Sequence, residues 1–320
     1  MNGQLVKKRH WAEIREVGSA WGINALAAIF RFVGAPILRV ILYPVVTYFF
    51  LRNRVAREAS REYLTRLAAF APSAGVVPSL GTSFRHFMAF ASSLVDRVAA
   101  WSGRIELDEL MLTGHEALMR TVESGTGAIL LGAHLGNLEV SRALSRLRPS
   151  LRLNVIIHTR NAERFNAMLR RVSGDAALTL IEATDFSPGV AIRLRDKLAS
   201  GELIVIAGDR VPLASARISR ASFLGSEASF PQGPIVLAAL LKCPVFILLC
   251  IKEPVGYHLH CVPFAERVVL DRRARSASID RYVQRYAREL ERYCVASPLQ
   301  WFNFYPFWSP PLGAQARERG

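Results

Sequence analysis

The stretch Gly127-Ala128-Ile129-Leu130-Leu131-Gly132-Ala133-His134-Leu135-Gly136-Asn137-Leu138-Glu139 decides the fold. Its first half is an unbroken apolar run with no alternation, the pattern of a strand covered on both faces. The run stops at a glycine, a histidine follows, and Gly136 and Asn137 suit the entry to a helix. The same change from apolar run to helical spacing recurs along the chain. Apolar runs lie at 128–131, 153–157, 178–181, 203–207, 245–249 and 257–262. Helical stretches at 137–147, 163–172, 189–199 and 233–241 separate most of them. Strand–helix–strand repetition predicts an α/β layered domain, a mixed sheet flanked by helices. Helices are also expected at 58–70, 83–101 and 279–293, with a loop at 71–81 carrying two prolines and two glycines.

Composition narrows the partners. With 41 Lys+Arg against 26 Asp+Glu the formal charge is +15, while 51% of the 320 residues are hydrophobic. Disorder and a disulfide scaffold are excluded. An apolar yet strongly basic chain points to an anionic membrane surface or an acidic partner, with nucleic acid as the rival reading of the charge. No helix-turn-helix, zinc or aromatic RNA-binding signature supports that rival. Cys243, Cys250, Cys261 and Cys294 form no Cys-x-x-Cys pair and read as buried thiols. His258 and His260 share one face of a strand, but a metal site there lacks further ligands at a recognised spacing.

The N-terminal region differs from the rest. Residues 1–16 are polar and basic, and from Val17 to Leu51 only Arg31 and Arg39 are charged. A spanning helix needs about 20 apolar residues. The uncharged pieces 17–30 and 40–51 are shorter, and Pro36 and Pro44 interrupt a continuous helix. Basic clusters on both sides (Lys7, Lys8 and Arg9 before; Arg52, Arg54 and Arg57 after) favour a re-entrant or interfacial anchor with both ends on one side. One tilted span over 32–51, or two ordinary core helices, are the alternatives. The expected organisation is a membrane-anchoring segment at 1–66, a catalytic domain at 67–313 and a frayed tail at 314–320.

In layered α/β domains reactive groups collect where strands end. At the first exit Glu139, five residues beyond His134, can fold back to one ring nitrogen, leaving the other as a base and stabilising the imidazolium. With no G-x-S-x-G and no cysteine paired locally with histidine, such a dyad would act directly on a substrate hydroxyl. The plain alternative makes His134 a satisfied core histidine and Glu139 a helix-terminal carboxylate. At the second exit Asp209 and Arg210 follow the run 203–207; they either line a cleft, with Arg210 as an anion contact, or tie down their own loop. A third strand leads into His158-Thr159-Arg160-Asn161. The fourth feature is a Gly/Pro-rich turn, Phe223-Leu224-Gly225 then Phe230-Pro231-Gln232-Gly233-Pro234, feeding an apolar helix whose free N–H groups could hold an oxyanion or phosphate.

These blocks, in this order, resemble the lysophospholipid acyltransferase superfamily, and within it the late lipid A acyltransferase family of Gram-negative bacteria. Residues 132–139 match its H-x-x-x-x-D/E motif in the glutamate form, and 302–308 (Phe-Asn-Phe-Tyr-Pro-Phe-Trp) resemble its aromatic C-terminal signature. The third block reads Pro-Gln-Gly where glycerolipid acyltransferases commonly have Pro-Glu-Gly, which argues against a plain glycerol-phosphate acceptor. The resemblance implies an O-acyltransferase without metal or redox cofactor, on the cytoplasmic face of the inner membrane. It would move a fatty acyl chain from acyl carrier protein to a hydroxyl of a lipid or glycolipid acceptor. His134 would be the base and Glu139 its partner, with Arg160, Asp209, Arg210, Gly233 and Asn137 toward the substrates. A lipid hydrolase using the same dyad, or a basic binding protein with a structural His–Glu pair, are the competing functions.

Overall fold

The computed structural model describes residues 40–101, 110–137, 151–157, 178–182, 188–211 and 217–309. Residues 40–52 form helix α1, followed by α2 (Arg54–Phe70) and α3 (Leu80–Trp101). Then come β1 (Leu110–Thr113), α4 (His115–Glu123), β2 (Ile129–Gly132), β3 (Leu153–Ile157), β4 (Leu178–Glu182), α5 (Pro188–Ala199) and β5 (Leu203–Ala207). A hairpin β6 (Ile218–Phe223) and β7 (Ser226–Pro231) leads into α6 (Gly233–Leu241), β8 (Val245–Lys252), β9 (Tyr257–Ala265) and α7 (Arg275–Ala296).

Seven strands make one mixed sheet in the order β1-β9-β8-β2-β5-β3-β4. β8, β2, β5, β3 and β4 run parallel, while β9 pairs antiparallel with β8 and carries β1 parallel to itself. The unbroken apolar runs now have their cause. Ile129, Leu131, Ile204, Ile206, Ile247 and Leu249 pack into one core, under α2, α5, α6 and α7. Their neighbours Leu130, Leu203, Val205, Phe246 and Leu248 pack into a second core with Leu118 of α4. The central strands β2, β5 and β8 are thus buried on both faces, so neither set of side chains meets water.

Three expectations change. The turn read at 223–234 is a β-hairpin: Phe223 pairs with Ser226 across Leu224 and Gly225, both at positive φ. That is the two-residue turn whose twist matches antiparallel strands. Its strands were missed because they are short and half polar. β1 and α4 were missed as well. The boundary drawn at residue 66 falls inside α2, whose Tyr63, Leu64 and Leu67 are buried in the first core. The helices expected at 137–147, beyond Asn137 itself, and at 163–172 lie outside the described residues, as do the apolar sequence before residue 40 and the tail from residue 310.

Among the described residues no helix is long and apolar enough to cross a membrane. α1 buries Leu42, Val46 and Phe50, spaced by four, against Phe84, Phe87, Ala91 and Val95. Its other face leaves Val40, Ile41, Tyr43, Val45, Tyr48, Phe49 and Leu51 exposed.

Candidate active site

β2 and β5 are adjacent and parallel, with Gly132 opposite Ala207. Their exits therefore stand side by side, about one strand spacing apart. Gly208 N–H donates to Gly132 O at 3.0 Å, continuing the ladder past the last pair. His134 and Asp209 each follow two residues after their strand, and this register brings together groups 75 positions apart. His134 Nδ1 lies 2.7 Å from Asp209 Oδ1, and His134 N–H donates to Asp209 Oδ2 at 2.9 Å.

Asp209 is wholly buried. Its Oδ2 also accepts from Trp301 Nε1 at 3.0 Å and Asn303 Nδ2 at 2.9 Å. Burial alone would raise its pKa. His134, by charge and hydrogen bonds, and the Arg210 guanidinium outweigh that and bring the carboxyl to about 2. An ionised carboxylate only accepts, so the proton of a neutral His134 sits on Nδ1 and Nε2 carries the lone pair. Burial and then the Arg210 charge hold His134 below its ordinary pKa, against the pull of Asp209. The side chain keeps 32% of its surface open, and Nε2 has no partner among the described residues. A ring oriented in this way, with Nε2 open, can act as a base.

Close backbone packing holds this geometry. Phe302 N–H donates to His134 O at 2.7 Å, Gly136 N–H to Gln300 O at 2.8 Å and Asn137 N–H to Cys250 O at 2.7 Å. Gly136 is at φ +71°, and a Cβ there would lie 2.0 Å from Cys250 O. Only glycine fits that crossing. From α7, Tyr286 donates its hydroxyl to Gly132 O at 2.8 Å, and a Cβ on Gly208 would meet its ring at 2.9 Å. A second polar chain pins the aromatic C-terminal segment: Ser83 Oγ donates to Ser60 Oγ, which contacts His86 Nδ1, and His86 Nε2 reaches Trp301 O at 2.9 Å. Burial lowers the His86 pKa to about 4, so its ring is neutral here.

A family model described as bacterial lipid A biosynthesis acyltransferase matches residues 7–309. The chain belongs to this family. Curated proteins give no match. As a lipid A biosynthesis acyltransferase the protein is an enzyme that transfers acyl groups.

In this acyltransferase the residues expected from the sequence take different places. His134 is open at a strand exit, as expected. The place on Nδ1 expected for Glu139 is held by Asp209; Glu139 and Arg160 lie outside the described residues. Asp209 does not line a cleft toward substrate, because both its oxygens are enclosed by protein donors. Arg210 gives Nε to Asn303 Oδ1 at 2.7 Å and a terminal nitrogen to Phe302 O at 2.9 Å, so it braces the C-terminal segment that encloses Asp209. Asn137 is buried and donates Nδ2 to Ser93 O at 3.2 Å. Gly233 opens α6, whose Pro234 and Ile235 border a cavity of about 10 Å³ shared with Leu131, Gly208 and Tyr286. No hydrogen bond joins Gly233 to His134 among the described residues.

Trp301, Asn303 and Tyr286 were not picked out as site residues. The aromatic signature at 302–308 was the available signal, but it does not say that Asn303 and its neighbour Trp301 grip a strand-exit aspartate. Elsewhere, the ring centroids of His258 and His260 lie 3.8 Å apart with the rings tilted by 31°, and Thr113 Oγ1 is 2.7 Å from His258 Nε2. Among the described residues no three His, Cys, Asp or Glu could hold a metal ion together.

Proposed function

We propose that this acyltransferase moves a fatty acyl chain from the thioester of acyl carrier protein to a hydroxyl of a lipid A precursor-like acceptor, at the cytoplasmic face of the inner membrane. His134 Nε2 takes the hydroxyl proton as the oxygen adds to the thioester carbonyl. The tetrahedral oxyanion then collapses, the C–S bond breaks, and the imidazolium returns its proton to the departing thiolate. Asp209 holds the ring and stabilises its charged form, the role the sequence suggested for Glu139. Glu139 and Arg160 are proposed to contribute to the reaction, Arg160, three residues past β3 in sequence, on an anionic group of acceptor or carrier.

The observation that carries this reading is the pairing of a buried, ionised Asp209 with an accessible His134 in a member of this family. It supplies a base for a hydroxyl without a protein nucleophile. Membrane association rests on the exposed apolar face of α1 and the apolar sequence before it, and the acidic donor on the net charge of +15. The test is transfer from acyl–acyl carrier protein to lipid A precursor in detergent micelles. His134→Ala should lower turnover roughly 10²–10⁴-fold. A His134→Ala protein that transfers at the native rate would end the mechanism, and hydrolysis without acceptor would mark a hydrolase.

A further inference from the structure

The face of α3 that meets the site can be followed turn by turn. His86 contacts Trp301 O, the Phe90 ring packs on Phe302 at 5.4 Å, and Ser93 O accepts from Asn137 Nδ2. The next residue on that stripe is Arg97, since positions 86, 90, 93 and 97 share one helix face. The stripe runs from the C-terminal segment to the His134 loop, so Arg97, one turn past Ser93, comes near enough for its charge to act on the His134 ring.

Among the described residues, two buried polar atoms of these elements have no hydrogen bond: Arg97 Nε and Asn137 Oδ1. Asn137 is only 2% exposed. Asp96, next to Arg97 in sequence, turns to Lys252 Nζ at 2.5 Å. Buried polar atoms are nearly always paired, so the orphan Arg97 donor near the His134 base marks where an accepting atom of a bound group completes the bonding.

We propose that Arg97 is a further catalytic residue, whose guanidinium binds the oxyanion formed from the thioester carbonyl as the acceptor oxygen adds to it. This rests on the acyl-transfer reading above. The new C–O bond sends the carbonyl π pair to oxygen, where the cation and its free N–H receive it. The pair returns as the C–S bond breaks, and His134 protonates the thiolate. Charge already couples the two residues: Arg97 and Arg210 disfavour the His134 imidazolium, Asp209 favours it, and Lys252 is paired with Asp96. Once the oxyanion forms at Arg97, its negative charge offsets that penalty.

The experiment uses the full chain with Arg97→Gln and Arg97→Lys. An interaction made only in the transition state lowers kcat and leaves KM alone. Arg97→Gln should lose about 10²–10³ in kcat, as for other lost oxyanion donors, with KM for both substrates within about threefold. Arg97→Lys should keep part of the rate, because it keeps the charge. A second readout needs no substrate: the NMR titration of the His134 ring, assigned with His134→Gln. Arg97→Gln should raise the His134 pKa and Arg97→Lys should not. A kcat within threefold of the native enzyme in Arg97→Gln, or a raised KM with unchanged kcat, overturns the proposal. So does an unmoved His134 titration. Failure of the native enzyme to transfer at all would instead sink the acyl-transfer reading, with the titration still deciding whether Arg97 acts on His134.

Discussion

Replacing Asp209 by asparagine separates orientation of His134 from the fold, and the structure says how. Oδ2 of Asp209 receives three donors: the His134 amide, Trp301 Nε1 and Asn303 Nδ2. Oδ1 has the single partner His134 Nδ1 among the described residues. An asparagine will keep its oxygen on the side of the three donors and turn its NH2 toward the ring. His134 Nδ1 must then accept, which moves the ring proton to Nε2 and removes the base. Restoring the active tautomer sets N–H against N–H. That forfeits a charge-assisted bond of about 1.5–3 kcal/mol and leaves a buried donor unmet at about 1–3 kcal/mol. The sum, roughly 2.5–6 kcal/mol, is a fall of about 10²–10⁴ in kcat. Transfer assays give the rate, and ring-nitrogen NMR shifts report the tautomer. The folded structure should survive, since three of four donors keep their acceptor. Asp209→Asn with activity within threefold of the native enzyme, or with the Nδ1–H tautomer intact, would refute this account.

Further outcomes follow from the same contacts. Because the His134 pKa is lowered and the neutral form is the base, the acid limb of kcat/KM should have its midpoint below pH 6.5; a midpoint at 7 or above would contradict it. His86 is neutral in the fold with a pKa of about 4, while the unfolded chain binds its proton near 6.5. Stability should therefore fall as pH drops from 6.5 to 4, by up to about 3 kcal/mol, and urea midpoints at pH 7.5 and 4.5 should differ less in His86→Gln. Gly136→Ala puts a Cβ onto Cys250 O and strains a residue at φ +71°. A loss of more than about 2 kcal/mol in urea unfolding is expected, together with lost activity.

The sequence by itself determined the layers. Apolar runs without alternation at 128–131, 203–207 and 245–249 read as strands buried on both sides, and the structure buries both their faces in two cores. It also determined that His134 follows a strand, because a run ending in Gly132 is a local signal. The hairpin Ile218–Phe223 with Ser226–Pro231 stayed hidden, since its half-polar strands are held by pairing and by α7 rather than by their own pattern. Tertiary structure alone decided which carboxylate meets His134 Nδ1. Spacing along the chain favours Glu139, but β2 and β5 are neighbours in register, and that pairing sets Asp209 beside the ring from 75 residues away. Local preferences act within a few residues, whereas strand order and register are settled by the burial of whole faces. The enclosure of Asp209 by Trp301 and Asn303, and the reach of the Arg97 charge to His134, follow only from that packing.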